Sequence, residues 1–331
     1  MRAGRLIKQP TGYRAFIPAD LPPNPPILMD DEMVLLLSEA DRALGRLDGV
    51  TSVLPNPELF VAMYVRHEAV LSSQIEGTQS TLEDVLEWEV DARPNSQPKD
   101  VEEVVNYVRA MNYGLQRLHE FPLSLPLIKE IHAELMQGVR GAEREPGEFR
   151  RSQNWIGSAG STLETATFVP PPPHEMHVAL NSFEKFLHTE EPIPVLIQCG
   201  LAHAQFETIH PFLDGNGRVG RLLITFLLCQ REILGRPLLY LSLYLKTHRT
   251  EYYDRLMAVR IDGNWESWLK FFLRGVAAAS SSAALTARAI LELRESGREL
   301  VLQELGNTNL GQRLFEYLFE QPVVTVRKVQ E

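Results

Sequence analysis

"TIHPFLDGNGRVGRLLITFLLCQRE", residues 208–232, decides the fold. Its run "LLITFLLC" (222–229) is apolar all round, the mark of a buried helix rather than a surface one. Just upstream, "PVLIQCGLAHAQFETI" (194–209) sets Leu196, Gly200, Ala204 and, with drift, Ile209 on one face, and other apolar residues cover most of the remaining circumference. Two core helices are therefore joined by the polar loop "HPFLDGNGR" (210–218). Crowding so many polar groups against a core costs free energy unless they bind a ligand or one another.

The residue types in the loop suggest the ligand. Pro211 bends the chain and donates no hydrogen bond. Gly215, Asn216 and Gly217 tolerate positive φ, and successive amides in that conformation form an anion nest. The nest falls at a helix start, where free N–H groups and the positive end of the helix dipole converge. Arg218 and Arg221, three apart, share a helix face. Two guanidiniums and a nest suit a polyphosphate. Asp214 would repel that ligand unless a hard cation such as Mg²⁺ bridged them. His210 has the side chain whose ordinary pKa lies nearest working pH, as a general base requires. Base, metal and polyphosphate together point to transfer of a nucleotidyl or phosphoryl group.

Working outward, "IPADLPPNPPILMDDE" (17–32) is too rich in proline for a helix before Pro26, so residues 1–30 read as an irregular arm. Asp30 or Asp31 would cap the next helix, "EMVLLLSEADRALGRL". Further helices are expected in "PNPELFVAMYVRHEAVLSSQIEG", ending at Gly77, in "STLEDVLEWEV" with a capping box from Ser80 to Glu83, and in 100–120 and 124–139. Helical period is lost between Gly141 and His174, where "GEFRRSQNWIGSAGSTLETATFVPPPPHEM" reads as a β-hairpin or extended flap ending in a short polyproline segment. Helices then resume through a long one beginning near Asn264. The expected fold is all-α, a helical bundle with a β-hairpin flap over the site.

Composition narrows the function classes. The 331 residues are 44% apolar and carry a formal net charge of −10, unlike the basic footprint of a general nucleic-acid binder. Two cysteines, Cys199 and Cys229, sit in apolar runs and read as buried thiols rather than a metal site or disulfide framework. The N-terminus shows no signal-peptide core, and no run approaches the ~18 apolar residues of a membrane span, so a cytoplasmic protein without a membrane partner is expected.

At these residues the sequence resembles the Fic family of protein adenylyltransferases. "HPFLDGNGRVGR" (210–221) matches every fixed position of the family motif H-x-F-x-[D/E]-G-N-[G/K]-R-x-x-R. Resemblance extends to the proline-rich arm, "RHEAVLSSQIEG", "FRRSQNWIG…FVPPPP" and "HRTEYYDRL…NWESWLKFF". It implies AMP transfer from ATP to Ser, Thr or Tyr hydroxyls of proteins, with release of pyrophosphate. His210 would be the base and Phe212 the anchor of the loop. Asp214 would hold Mg²⁺, and Gly215, Asn216 and Gly217 would form the anion hole, with Asn216 on the α-phosphate. Arg218 and Arg221 would take the β- and γ-phosphates.

"SSQIEG" (72–77) fits the family's inhibitory motif [S/T]-x-x-x-E-[G/N] at Ser72, Glu76 and Gly77. The resemblance implies that Glu76 pairs with Arg221 and displaces the γ-phosphate. The flap residues Ile156, Gly157 and Ser158 would border the nucleotide and receive an extended target segment as an added strand. Tyr252, Tyr253 and Arg260 fall where the family often lines the adenine pocket, although core packing explains the tyrosines equally well.

The expected organisation is an N-terminal arm and helical region carrying the inhibitory motif (1–100), a catalytic core (101–275), and a C-terminal helix with an incomplete winged-helix start (276–331). A homodimer is a further expectation from the family. Alternatives on the same fold are AMP removal, with Glu76 aligning a water, or transfer of another phosphate-containing group. A non-catalytic nucleotide sensor would not need His210 and Asp214, and a DNA-binding repressor would want a more basic tail than Arg313, Arg327 and Lys328 among several acids.

Overall fold

The computed structural model describes residues 2–52, 54, 57–90, 100–139, 144–158, 160–306 and 309–320. The N-terminal arm is not irregular throughout. β1 (Gly4–Lys8) and β2 (Arg14–Pro18) form an antiparallel hairpin with Leu6 opposite Phe16. The prolines cluster after it, which leaves the alternating "RLIK" and "RAFIP" free to pair. α1 (Asp31–Ser52) starts as expected, with Asp30 Oδ1 accepting the Met33 amide at 2.8 Å. α2 (Pro57–Ile75) stops before Gly77, whose φ is +103°.

α3 (Leu82–Val90) is capped one residue later than the sequence suggests. The Thr81 hydroxyl accepts the Asp84 amide (3.2 Å) while the Asp84 carboxylate accepts the Thr81 amide (2.8 Å). Ser80, the expected cap, is fully buried and donates instead to Asp100 at 2.6 Å, so its hydroxyl is already committed. α4 (Val101–Leu118) and α5 (Leu125–Leu135) follow.

The flap between α5 and α6 (Pro173–Leu187) is extended rather than a regular hairpin. Its two arms meet in one antiparallel bridge, Ile156 with Phe168, closed by hydrogen bonds of 2.8 and 3.0 Å. The Phe16 amide of β2 donates to Val169 O at 2.9 Å, so the N-terminal hairpin braces the base of the flap.

α7 (Val195–Ile209) and α8 (Asn216–Gln230) form the centre. Every residue from Leu196 to Ile209 is buried. α4 crosses α8 closely at Gly114, where a Cβ would overlap the Phe226 ring. α9 (Ser242–Thr247), α10 (Arg249–Asp262) and α11 (Trp265–Leu305) complete the shell, and α12 (Asn309–Glu320) folds back on α11 with Phe315 against Gly297. α11 pins α7 through Trp268 Nε1, which donates to Gly200 O at 2.8 Å.

By length and composition α11 could cross a membrane, which the sequence reading did not anticipate. Its N-terminal half is nevertheless core, with Trp265, Trp268, Phe271, Phe272 and Val276 buried. The winged-helix start expected from Leu318 to Glu331 lies almost wholly outside the described residues.

Candidate active site

α7 unwinds at His210, which takes a left-handed conformation (φ 50°, ψ 60°). That region is uncommon for non-glycine residues, though histidine enters it more readily than most, and it persists where surrounding groups enforce it. Here the enforcing groups are Arg150 and Asn154. Arg150 is fully buried; its Nε donates to His210 O at 3.0 Å and its amide to Pro211 O at 2.9 Å. Asn154 Nδ2 donates to His210 O (3.2 Å) and Phe212 O (2.9 Å).

Phe212 anchors the loop as expected. It is fully buried and stacks on His132 with ring centroids 3.7 Å apart. The Gly147 amide donates to His132 Nδ1 at 2.8 Å, so the proton sits on Nε2 and is donated to Asp214 O at 3.1 Å. Burial keeps this imidazole neutral by pushing its pKa down to about 4.

The anion cradle is simpler than a three-residue nest. Only Gly215 is left-handed (φ 75°), while Asn216 and Gly217 are the first residues of α8. Val219 N makes the first backbone bond of that helix, to Gly215 O at 3.0 Å. The amides of residues 216–218 thus form a helix N-terminus open to an anion. Asn216 does not extend toward a ligand in this state. Its Oδ1 accepts the Phe212 amide and its Nδ2 donates to Phe212 O, each at 2.8 Å, which clamps the loop.

The two arginines part company. Arg221 is buried on α8 and turned toward α2: Nε donates to Ser72 Oγ at 2.7 Å, and Nη2 to Ser72 O at 3.0 Å and Glu76 Oε1 at 2.8 Å. The Glu76 carboxylate also lies over the first turn of α8, since a Cβ on Gly217 would overlap Oε1. Arg218, equally buried, pairs with Glu103 of α4 at 3.2 Å and stands 4.0 Å from Asp214. Glu103 gives this second cation a compensating charge without which its burial would be costly.

Asp214 accepts the Gly215 amide at 2.7 Å through Oδ1 and faces Arg144 at 3.3 Å through Oδ2. Its side chain is partly exposed at the edge of the anion cradle. A single hard-oxygen donor there fits Mg²⁺, which takes one or two carboxylates and draws its other ligands from phosphate and water. No cluster of three or more His, Cys, Asp or Glu suited to a metal occurs among the described residues.

His210 Nδ1 is buried without a hydrogen-bond partner among the described residues. Burial, then the Arg260 and Arg150 charges, push its pKa down to about 3, so the ring is neutral. Arg260 stacks 4.1 Å over the Phe168 ring and donates to Glu207 O (2.9 Å) and Thr208 Oγ1 (3.2 Å). It therefore ties the flap to the end of α7. Tyr252 is buried and donates its hydroxyl to His203 Nε2 at 2.8 Å. Tyr253, its half-exposed neighbour, is the tyrosine that faces outward, with Arg249 over its ring. Gly157 and Ser158 are exposed on the flap, and Ile156 is held in the bridge to Phe168.

Sequence reasoning did not single out Arg150, Asn154, His132, Glu103, Glu68 or Glu207. Glu68, buried on α2, accepts from the Ser242 amide and hydroxyl at the start of α9 and from Tyr107, which fixes the helix leading to Glu76. Arg150 and Asn154 lie within the flap stretch, but nothing in their spacing reveals that they reach back to residue 210. His132 and Glu103 look like ordinary helix residues until α4 and α5 are packed on α8.

Comparison with known proteins agrees with this architecture. Residues 34–116 match the model of the Fic/DOC family N-terminal region and residues 122–228 that of the Fic/DOC family. The chain is 33% identical over 167 residues to a protein adenylyltransferase Fic of Aedes aegypti, covering 50% of this chain and 30% of that protein. It is 32% identical over 184 residues to a probable protein adenylyltransferase of Aquifex aeolicus, covering 54% and 52%. The matches thus span about a third to a half of these relatives' length. Among solved structures, a Fic family protein from Desulfovibrio desulfuricans G20 superposes with a TM-score of 0.65 at 22% identity, over 79% of this chain and 76% of that one. Fic-1 of C. elegans (residues 134–508) gives 0.55 at 19% identity, over 78% and 72%. The motif and the Fic/DOC model coincide on the α7–α8 loop, the N-terminal model covers the helices that precede it, and the chain belongs to the Fic/DOC family.

Proposed function

We propose that this protein is an autoinhibited adenylyltransferase that moves AMP from ATP to Ser, Thr or Tyr hydroxyls of target proteins, and of itself. The observation that carries this reading is the sharing of one buried guanidinium, Arg221, between the anion cradle of α8 and the carboxylate of Glu76, just past the end of α2.

The triphosphate would lie across the start of α8, with its terminal phosphate competing with Glu76 for Arg221. The neutral imidazole of His210 takes the proton of the target hydroxyl as that oxygen bonds to the α-phosphorus. The bond from the α-phosphorus to pyrophosphate breaks, and pyrophosphate leaves. Anionic phosphates brought beside His210 raise its pKa from the depressed value, toward that of a useful general base. Mg²⁺, held by Asp214, would supply positive charge against the α- and β-phosphates. Arg150, Asn154 and Arg260 keep the His210 turn and the flap in place, and Asn216 keeps the loop closed on Phe212.

Holding such a switch 99% closed takes about 2.7 kcal/mol, and one hydrogen bond to a charged group contributes ~1.5–3 kcal/mol net. The Glu76–Arg221 pair is therefore sufficient alone, and the two bonds from Arg221 to Ser72 add to it. Targets would dock an extended segment along the flap, where Gly157 and Ser158 are exposed. The deciding experiment is incubation with Mg-ATP followed by mass spectrometry for added AMP. Absence of AMP from both the parent and a Glu76→Gly variant would refute transferase activity.

A further inference from the structure

The mechanism leaves one buried acid unused. Glu207 lies on α7, one turn before His210, and is 6% exposed. Its Oε1 meets no hydrogen-bond donor among the described residues. That oxygen points at the crossing with α8, because a Cβ on Gly220 would overlap it, and the next residue along is Arg221. The charged and titratable groups around it can be named element by element. The turn after α2 contributes Glu76, α8 Arg221, and α10 Arg260, Tyr252 and Tyr253. On α7 itself His203 and His210 stand one turn to either side. His203 is occupied by Gly220 O and Tyr252, and Arg260 donates to the Glu207 backbone rather than to its carboxyl.

Arg221 is a buried cation whose ion-pair partner is Glu76. If Glu76 withdraws, that cation is left without compensation, a costly state in a low-dielectric interior. Two further acids lie in electrostatic reach, Glu68 and Glu207; Glu68 already accepts from Ser242 and Tyr107, which leaves Glu207 as the acid with an unpartnered buried oxygen among the described residues. We propose that Glu207 is the alternative counter-charge for Arg221, so that one guanidinium is balanced by either of two carboxylates and a proton leaves Glu207 when Glu76 departs. This rests on the reading of Glu76 as an inhibitory residue.

The sign of the resulting pH dependence follows. With Glu76 in place, burial raises the Glu207 carboxyl to about 7, the Arg221 charge opposing and the Glu76 charge reinforcing that rise. Withdrawing Glu76 removes the repulsion and leaves Arg221 free to stabilise the carboxylate, so the pKa falls. The closed state then binds more protons than the open one. Opening becomes easier as pH rises from the open-state pKa toward 7, and gains nothing further above it.

The direct test is a carbon-13 NMR titration of side-chain carboxyls in glutamate-labelled protein, with Glu207 assigned by its loss in Glu207→Gln. The expected result is a midpoint near neutrality in the parent that falls by about one unit or more in Glu76→Gly, equivalent to tenfold coupling. An unchanged midpoint would overturn the proposal. Should Glu207→Gln fail to fold, Glu207→Asp provides the assignment by the same loss of the labelled resonance. This readout needs neither nucleotide nor catalysis. It therefore stays decisive even if the transfer assay fails, and failure of the titration leaves the transferase reading untouched.

Discussion

Arg221 and Glu76 meet at 2.8 Å although 145 positions separate them in the chain, and the Ser72 hydroxyl and carbonyl hold the same guanidinium from the preceding turn of α2. Three acceptors, two from the last turn of α2 and one just past its end, thus hold a cation on α8. Glu76→Gly removes the charged acceptor and leaves the Ser72 contacts. Self-adenylylation by this variant should rise by up to about 100-fold, the factor equivalent to ~2.7 kcal/mol. Ser72→Ala, which loses one neutral acceptor, should give a smaller rise of the order of tenfold. Labelled-ATP transfer measures both, and equal rates in parent and Glu76→Gly would exclude an inhibitory role for the pair.

His210 should separate chemistry from binding. His210→Ala removes the imidazole but leaves the backbone groups of the α8 start and both arginines. Transfer should fall by about 100-fold or more, as general-base removal does, while the calorimetric affinity for Mg-ATP in the Glu76→Gly background changes only a few-fold. An equal loss of affinity would show that the histidine positions nucleotide rather than accepting the proton.

Arg260 couples two parts of the site. Its guanidinium lies on Phe168 of the flap while its N–H groups hold Glu207 O and Thr208 Oγ1 near the end of α7. Lysine keeps the charge but cannot reproduce the planar fork or both hydrogen bonds. In Arg260→Lys, transfer should drop about 10-fold to 100-fold, with nucleotide affinity less affected. A variant that binds Mg-ATP far more weakly, yet turns over normally once saturated, would move Arg260 back to a nucleotide-pocket role.

The site was legible in sequence where its parts are neighbours. Twelve consecutive residues carried the proposed base His210, Asp214, the loop anchor Phe212 and both arginines, and the proposed inhibitory motif was a second compact string. What sequence did not provide was which arginine goes where. Arg218 and Arg221 share a helix face, yet one is met by Glu103 from α4 and the other by Ser72 of α2 and Glu76 just past its end. That division depends on how α2 and α4 pack against α8, which local spacing does not encode. The same holds for Arg150, whose fully buried side chain looks like an ordinary flap residue until it reaches the His210 carbonyl. Short β-pairing was also ambiguous. The proline-rich arm hid a real hairpin, while the flap, richer in β-prone residues, closes with one bridge.

Gly114 tests the packing that places α8. A methyl at this position would overlap the Phe226 ring, and neither helix can yield without shifting the fully buried residues beside it. Gly114→Ala should therefore cost about 1–3 kcal/mol despite alanine's better helix propensity. Denaturant unfolding would register this as a lower midpoint at unchanged slope. A stabilised variant would show that the α4–α8 contact has slack.

His203 makes the acid stability of the core measurable. It donates from Nδ1 to Gly220 O at 2.9 Å and accepts the Tyr252 hydroxyl at Nε2, so it bridges α7, α8 and α10 as a neutral ring. Burial chiefly, with the Arg221 and Arg260 charges adding, pushes its pKa down to about 4. The folded value lies below that of the unfolded chain, near 6.5, so the unfolded state takes up the proton first as pH falls. Stability is complete above about 6.5 and is lost between there and about 4, a contribution on the order of 3 kcal/mol from this one group. His203→Gln keeps a donor and an acceptor but cannot titrate. It should be less stable than the parent at pH 7, with a stability curve that falls less steeply on acidification by about one proton in that window. Parallel curves for parent and variant from pH 7 to pH 4 would mean that His203 is not held neutral by the fold.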